Sequence, residues 1–288
     1  MDEFTLRLAH LHHCRGISWE TIYHILKADP ELLNLYKLTH EETLLQAYPT
    51  SPFTFYDLQS EFLPKQIKQY PLNGIQMITL FDERYPSLLK ETYQPPWVLY
   101  AKGDLSLLNK GLHLAVVGAR QYTEYGENAI NYLFPKLIEN GITIVSGLAT
   151  GIDAIAHRSA IRFGGKTIAV IAGGLHHIYP EVNKKLAFEL MKNHLIISES
   201  PPDVKPTRWQ FPLRNRVISG ISRGTLIIQA KSKSGSLITA NYAVQEGREV
   251  FALPGSIFST FSNGTNELIQ QGAKLVKCPE DILEELHY

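Results

Sequence analysis

From residue 112 onward the chain alternates short runs that are apolar at nearly every position with longer stretches whose apolar residues recur at helical spacing. The runs are LHLAVVG, ITIVSG, TIAVIAGG, HLIISES, TLIIQA, EVFALPG and KLVKC. A strand that is apolar on both faces must be covered on both, and covering helices on each side make a parallel doubly wound sheet. Helices are expected over 124–140, stopped by Gly141, over 153–163, stopped by Gly164 and Gly165, and over 181–193. Further helices are expected over 215–223, 236–245 and near 266–271, with an acidic helix at the tail.

The first 75 residues follow a different pattern. Phe4, Leu8 and Leu11 share one helical face, and Trp19, Ile22, Tyr23 and Leu26 a second, with Ser18 placed to cap the second helix. Short helices fit 30–36 and 40–47, the latter with Thr39 as its cap, before Pro49, Pro52, Pro64 and Pro71 break the pattern. We read 1–75 as a small all-helical domain and 76–288 as the α/β domain. The segment 78–104 joins them with a short strand, a helix over 86–92 and a strand over 97–100. Pro95 and Pro96 force extended backbone ahead of that last strand. No internal repeat or low-complexity tract is visible.

Charge sharpens this division. The 288 residues hold 28 Lys plus Arg and 28 Asp plus Glu, a formal net charge of zero, so no global field draws in a polyanion. Yet 1–75 carries six cations against nine carboxylates. The stretch 205–248 holds Lys205, Arg208, Arg214, Arg216, Arg223, Lys231, Lys233 and Arg248 against Glu246 alone. Trp209 and Phe211 interleave with these cations, a combination suited to single-stranded nucleic acid, where phosphates meet cations and bases stack on rings. Cys14 and Cys278 are far apart and form no CxxC, which argues against a zinc knuckle or a disulfide framework and fits a reducing cytoplasm. The apolar runs are shorter than the ~20 residues of a membrane span, so no membrane association is expected. MDEFTLRLAH lacks the layout of a secretory signal.

In an open parallel sheet, ligands bind beyond the C-terminal ends of the strands. At the first such end, V-V-G-A-R-Q-Y-T, Gly118 frees the backbone, Arg120 projects from the turn and Thr123 is placed to cap the next helix. This makes a phosphate site without the GxGxxG dinucleotide fingerprint. The second end carries Asp153 and His157 four residues apart, either a catalytic or metal pair or structural hydrogen-bonding groups that fix the loop. At the third, Gly173 and Gly174 permit close backbone approach, His176 and His177 read as polar loop residues, and Tyr179 either stacks on a base or covers the sheet end. In F-P-L-R-N-R, Arg214 and Arg216 flank Asn215 at an expected helix start, where Asn caps the helix or reads a base edge. K-S-K-S-G-S adds Lys231, Ser234 and Ser236 at another helix N-terminus, either an anion site or ordinary capping, without P-loop spacing.

Taken in order, these segments resemble the DNA-processing protein A (DprA/Smf) family. The matching pieces are ERYPSLL with PPWVLYAKG, VVGAR, SGLATGIDAIAH, TIAVIAGGL with YPEVN, SESPP, FPLRNRVISG, SGSLITA, and GREVFALPG with LIQQGAKLV, spanning about 78–278. The resemblance implies an extended Rossmann-like domain that binds single-stranded DNA with no catalytic step and no cofactor. It also implies a cytoplasmic homodimer that protects incoming strands during natural transformation and loads the RecA recombinase. It assigns phosphate contact to Arg120 and the DNA pocket to Arg214, Asn215 and Arg216, with Arg208 at the basic position before the FP pair. The LIQQGAKLV segment offers Leu268, Ile269, Leu275 and Val276 as a dimer surface, or as packing under the sheet edge. SESPPD stands where the family more often has SEYPPG, and Gly-Gly-Leu-His-His where it often has G-L-D. The 1–75 region resembles the family's SAM-like domain loosely, lacking the G-x-G hairpin. The winged helix that some members carry after this point is expected to be absent. The competing readings are a nucleotide-phosphate hydrolase on the same fold, using Glu199 or Asp153 but lacking a PGGxGT loop, and an adaptor acting through the helical domain.

Overall fold

The computed structural model describes residues 1–34 and 52–286. Its contacts divide the chain into two units: 1–83 with 94–100, and 84–93 with 101–288. The sequence places the boundary at 75/76, whereas the contacts assign 76–83 and 94–100 to the helical unit.

In the first unit, α1 (Glu3–His13) begins at Asp2, whose carboxylate accepts from the Thr5 N–H. Helix α2 (Trp19–Ala28) begins at Ser18, whose hydroxyl accepts from the Thr21 N–H. Residues 30–34 are turns, so the expected helix over 30–36 is not formed there, and the helix expected over 40–47 lies outside the described residues. Helices α3 (Pro52–Leu58) and α4 (Phe62–Gln69) correct the reading of the prolines as breakers. Pro52 and Pro64 sit in first turns, where a missing N–H costs nothing. Leu8, Leu11, Ile22, Ile25 and Ile67 are buried. Trp19 stacks on Trp97 with ring centroids 4.8 Å apart, and Trp97 precedes a strand that is hydrogen-bonded beyond β1 (Gln76–Thr79) through Leu80 N–H to Trp97 C=O.

The second unit contains α5 (Ser87–Lys90), and the chain enters it for good within β2 (Val98–Gly103). Its order is then β3 (His113–Val117), α6 (Glu124–Glu139), β4 (Thr143–Ser146), α7 (Ile152–Arg162), β5 (Thr167–Ile171), α8 (Lys184–Asn193) and β6 (Leu195–Ser198). It continues α9 (Gln210–Gly220), β7 (Gly224–Ile227), α10 (Gly235–Gln245), β8 (Glu249–Ala252), α11 (Asn263–Gln270), β9 (Lys274–Leu275) and α12 (Glu280–Leu286). Seven strands pair in parallel in the spatial order β6-β5-β4-β3-β7-β8-β9, with Ala115 opposite both Val145 and Thr225. Strands β3 to β7 are buried at every position, the cause of their unbroken apolar runs. Leu114, Val116, Ile144 and Leu226 meet Phe134 and Leu137 of α6, and Ile155 and Ala160 of α7, in one core cluster.

Helix α9 starts five residues before the expected 215, which places Asn215 mid-helix rather than at a cap. The sequence T-R-W-Q at 207–210 is the reason. The Gln210 Oε1 accepts from the Thr207 N–H at 2.7 Å and from its hydroxyl at 3.0 Å, and the Gln210 N–H donates to the Thr207 C=O, which closes a turn that leads directly into the helix. The chain leaves β3 toward β4, β5 and β6 on one side and returns through β7, β8 and β9 on the other. The crevice between β3 and β7 is therefore the switch point, where a doubly wound sheet opens a ligand site.

Candidate nucleic-acid interface

At that switch point an open cleft of about 680 Å³ is lined by the turn after β3, the loop before α7, the first turns of α9 and the N-terminus of α10. It brings together Gly118, Arg120, Arg208, Phe211, Arg214, Asn215, Ser234 and Ser236, with Tyr179 and Asp153 beside them.

Arg120 is exposed and makes no hydrogen bond or ion pair among the described residues. Its guanidinium lies 5.8 Å from the Phe211 ring centroid, and Phe211 meets Tyr179 edge-on with centroids 5.8 Å apart. Cation and rings thus form one surface, open on the side a ligand approaches. The turn bearing Arg120 is built by close packing. A Cβ on Gly118 would stand 2.8 Å from Ile152, and one on Gly151, at φ +78°, would stand 2.3 Å from the Ala119 carbonyl oxygen and 2.4 Å from that of Arg120.

Thr123 does not cap α6 with its side chain. It is held instead by buried Gln229, a residue the sequence reading missed. The Thr123 N–H donates to Gln229 Oε1 at 3.0 Å, and Gln229 Nε2 donates to the Thr123 hydroxyl at 2.9 Å. The Ala119 N–H also donates to the Gln229 backbone carbonyl at 2.8 Å. The polar Q ending the apolar run TLIIQA was its one available signal.

Arg214 differs from Arg120. It is buried under the cleft floor and donates to the Gly147 carbonyl, to the Val170 carbonyl at 2.6 Å and to Asn215 Oδ1 at 3.1 Å. It ties the C-terminal ends of β4 and β5 together. Burial lowers its pKa to about 10, which leaves it charged at neutral pH. Burial raises the Asp153 carboxyl pKa, while the field of Arg214 and backbone N–H groups oppose that rise. Asn215 completes the floor by donating from Nδ2 to the Gly235 carbonyl at 3.3 Å. Ser234 caps α10, and its hydroxyl lies 2.9 Å from that of Ser236.

Other expected residues stand outside the cleft lining. Gly173 and Gly174 are buried against the proline loop. A Cβ on Gly173 would lie 2.7 Å from Pro206, and one on Gly174 would lie 2.0 Å from the Pro201 carbonyl oxygen. Arg216 pairs with Glu199 at 2.5 Å, and burial raises that carboxyl's pKa against the pull of the arginine. Lys231 is exposed, with Nζ 4.7 Å from the Phe261 centroid. Of the apolar patch, Leu268 is 8% and Val276 1% exposed, both within the fold, while Leu275 is 36% exposed. Asp153 and His157 are not paired with each other. His157 Nδ1 bonds at 2.7 Å to Thr167 Oγ1, which itself donates to the Ile144 carbonyl, so the imidazole is the donor. Among the described residues no group of three His, Cys, Asp or Glu side chains is placed to hold a metal, and no helix is long and apolar enough to cross a membrane.

A parallel sheet with a cationic, ring-lined cleft at its switch point defines a Rossmann-like α/β binding protein. Residues 76–287 match the family model described as DNA recombination-mediator protein A, and the chain belongs to that family. It is 50% identical over 224 residues to the DNA processing protein DprA of Bacillus subtilis, covering 78% of this chain and 75% of that protein. It is 45% identical over 213 residues to protein Smf of Escherichia coli, covering 74% of this chain and 57% of that longer protein. Among solved structures, DNA processing protein A of Streptococcus pneumoniae superposes over 100% of both chains with a TM-score of 0.86 at 35% identity. A Helicobacter pylori DNA processing protein A, described for its single-stranded DNA binding mode, covers 74% of this chain and 95% of its own with a TM-score of 0.67 at 34% identity.

Proposed function

We propose that this chain is a non-enzymatic, single-stranded DNA-binding mediator of recombination, which protects incoming strands and loads RecA onto them as a cytoplasmic homodimer. The observation that carries the DNA-binding reading is the pairing of Arg120 with the Phe211–Tyr179 rings at the switch-point cleft. An unneutralised guanidinium suits a phosphate and flat rings suit unstacked bases, a sequence-tolerant combination. The described binding mode of the H. pylori relative supports the same reading. RecA loading, transformation and dimerisation rest on family membership.

The hydrolase alternative gains no support from its two carboxylates. Asp153 is buried and accepts from the Ala149 N–H, and Glu199 is ion-paired away from the cleft. A gel-shift series on single- and double-stranded oligonucleotides across salt tests the proposal. Single strands bind more tightly, and if five phosphates are engaged log K falls with log salt at a slope of roughly −3.5. Equal affinity for both forms, or no salt dependence, refutes it. Added RecA and its filament growth on coated DNA test the loading step.

A further inference from the structure

Beyond the cleft, the same edge of the sheet carries an apolar feature that the cleft does not use. The loop after β8, residues 255–262, holds Ile257 and Phe258, which are 79% and 92% exposed. Isolated apolar side chains on a surface are ordinary, but two adjacent large ones at this exposure are not. The loop is tightly tied. The Gly255 N–H donates to Asn266 Oδ1 at 3.1 Å, and Asn266 Nδ2 returns to the Gly255 carbonyl at 3.0 Å. A Cβ on Gly255 would lie 2.1 Å from the Ser262 hydroxyl oxygen, so the two ends of the loop touch.

The loop is also fastened to the segment that follows β7 into the cleft. The Ala230 N–H donates to the Phe261 carbonyl at 2.8 Å, and the Gly264 N–H donates to the Ala230 carbonyl at 2.8 Å. From Ala230 the chain runs through Lys231 to Ser234 in the cleft wall. Lys231 and Lys233 are exposed along this route, and Lys231 lies over Phe261. The neighbouring carboxylate, Glu267, is engaged by the Ser232 hydroxyl at 3.0 Å. At no more than about 3.5 Å per residue, Phe258 lies within a few nucleotides of the cleft.

We infer that Phe258, flanked by Ile257 and served by Lys231, is a second base-stacking station. It receives a single strand that leaves the cleft past Ser234. This deepens the single-strand reading above and rests on it. The occupant is nucleic acid rather than a protein face because Phe258 lies only three residues along the loop from Phe261, over which the exposed Lys231 sits, and the loop leaves the same C-terminal edge of the sheet as the cleft.

The test measures affinity for oligo-dT of about five and of about twenty nucleotides, in the full chain and in Phe258→Ala, Phe258→Leu and Phe258→Tyr variants. The high exposure of Phe258 predicts unchanged melting temperatures. Phe258→Ala and Phe258→Leu weaken the long probe by about tenfold, one stacked base's worth, and leave the short probe unchanged, while Phe258→Tyr retains binding. The inference is overturned if the long probe binds all variants alike, if both lengths weaken together, or if Leu serves as well as the ring. It is equally overturned if Phe258→Ala changes self-association with DNA binding intact. A wild-type chain that binds neither length would remove the cleft reading as well. Normal wild-type binding with an unaffected Phe258→Ala variant would remove the loop alone.

Discussion

Two arginines line the same cleft, and the structure gives them opposite consequences when removed. Arg214→Met deletes donors to the Gly147 and Val170 carbonyls and leaves Asp153 buried without its compensating cation. Breaking a buried, hydrogen-bonded charge arrangement from one side costs about 3–5 kcal/mol. At about 2–4 °C per kcal/mol for a domain of this size, the melting temperature falls by about 6–20 °C. Arg120→Ala removes an exposed side chain that has no hydrogen-bond or ion-pair partner among the described residues, so melting stays within about 2 °C, while single-strand affinity falls by about 1–3 kcal/mol. Calorimetry and a gel shift on the same preparations read both quantities. Adding Asp153→Asn to Arg214→Met removes the stranded carboxylate and recovers part of the lost stability. If Arg214→Met melts like wild type yet loses DNA as Arg120→Ala does, the buried arginine is a ligand contact and its reading as a structural tie is wrong.

The remaining predictions concern pH and backbone. Burial lowers the His157 pKa to about 3. The unfolded chain therefore takes up that proton first, and the residue's contribution to stability is full above pH ~6.5 and is lost as pH falls toward about 3, by up to ~1.4 kcal/mol per pH unit. Asp153 and Glu199, whose values are raised, act with the opposite sign. Urea midpoints of wild type and His157→Gln over this range isolate the histidine, and parallel slopes would refute it. Gly151→Ala and Gly164→Ala share a positive φ, but only the former meets carbonyl oxygens, at 2.3 and 2.4 Å, while the latter meets nothing within 4 Å. Gly164→Ala is expected to cost about 1 kcal/mol. Gly151→Ala costs more and also weakens DNA binding by shifting Arg120. Equal losses in denaturant melts would contradict the packing account.

The sheet was legible because a strand covered on both faces must be apolar throughout, and TIAVI or HLAVV leaves no other arrangement for it. The start of α9 was misplaced because Asn215 resembles a cap more than Gln210 does. The latter's role depends on a side chain reaching back to Thr207, a pattern visible only when T-x-x-Q is sought. Arg214 and Arg216 read alike in R-N-R. Which one turns under the floor and which pairs with Glu199 depends on carbonyls at the ends of β4 and β5 and on the carboxylate just after β6, contacts made by residues distant in sequence. Gly173 and Gly174 permit close approach as expected, but the backbone that approaches is the chain's own proline loop. Gln229 was missed because nothing in a strand's composition announces that its last polar residue will hold a turn over a hundred positions earlier.

That clamp has a consequence for how the cleft works. Gln229 fixes the Arg120 turn to the strand end of β7, and the same strand leads within five residues to Ser234 at the start of α10. The Gln229 side chain thus adds to the β3–β7 pairing and the Ala119 N–H bond to the Gln229 carbonyl in bracing the two walls of the cleft, and the gap between them is set before any ligand arrives. A flexible strand entering a gauge of fixed width bears nearly all of the ordering entropy itself, while the protein bears little. Under the single-strand reading proposed above, discrimination would then come from what can unstack and flatten enough to fit, by thickness and not by sequence.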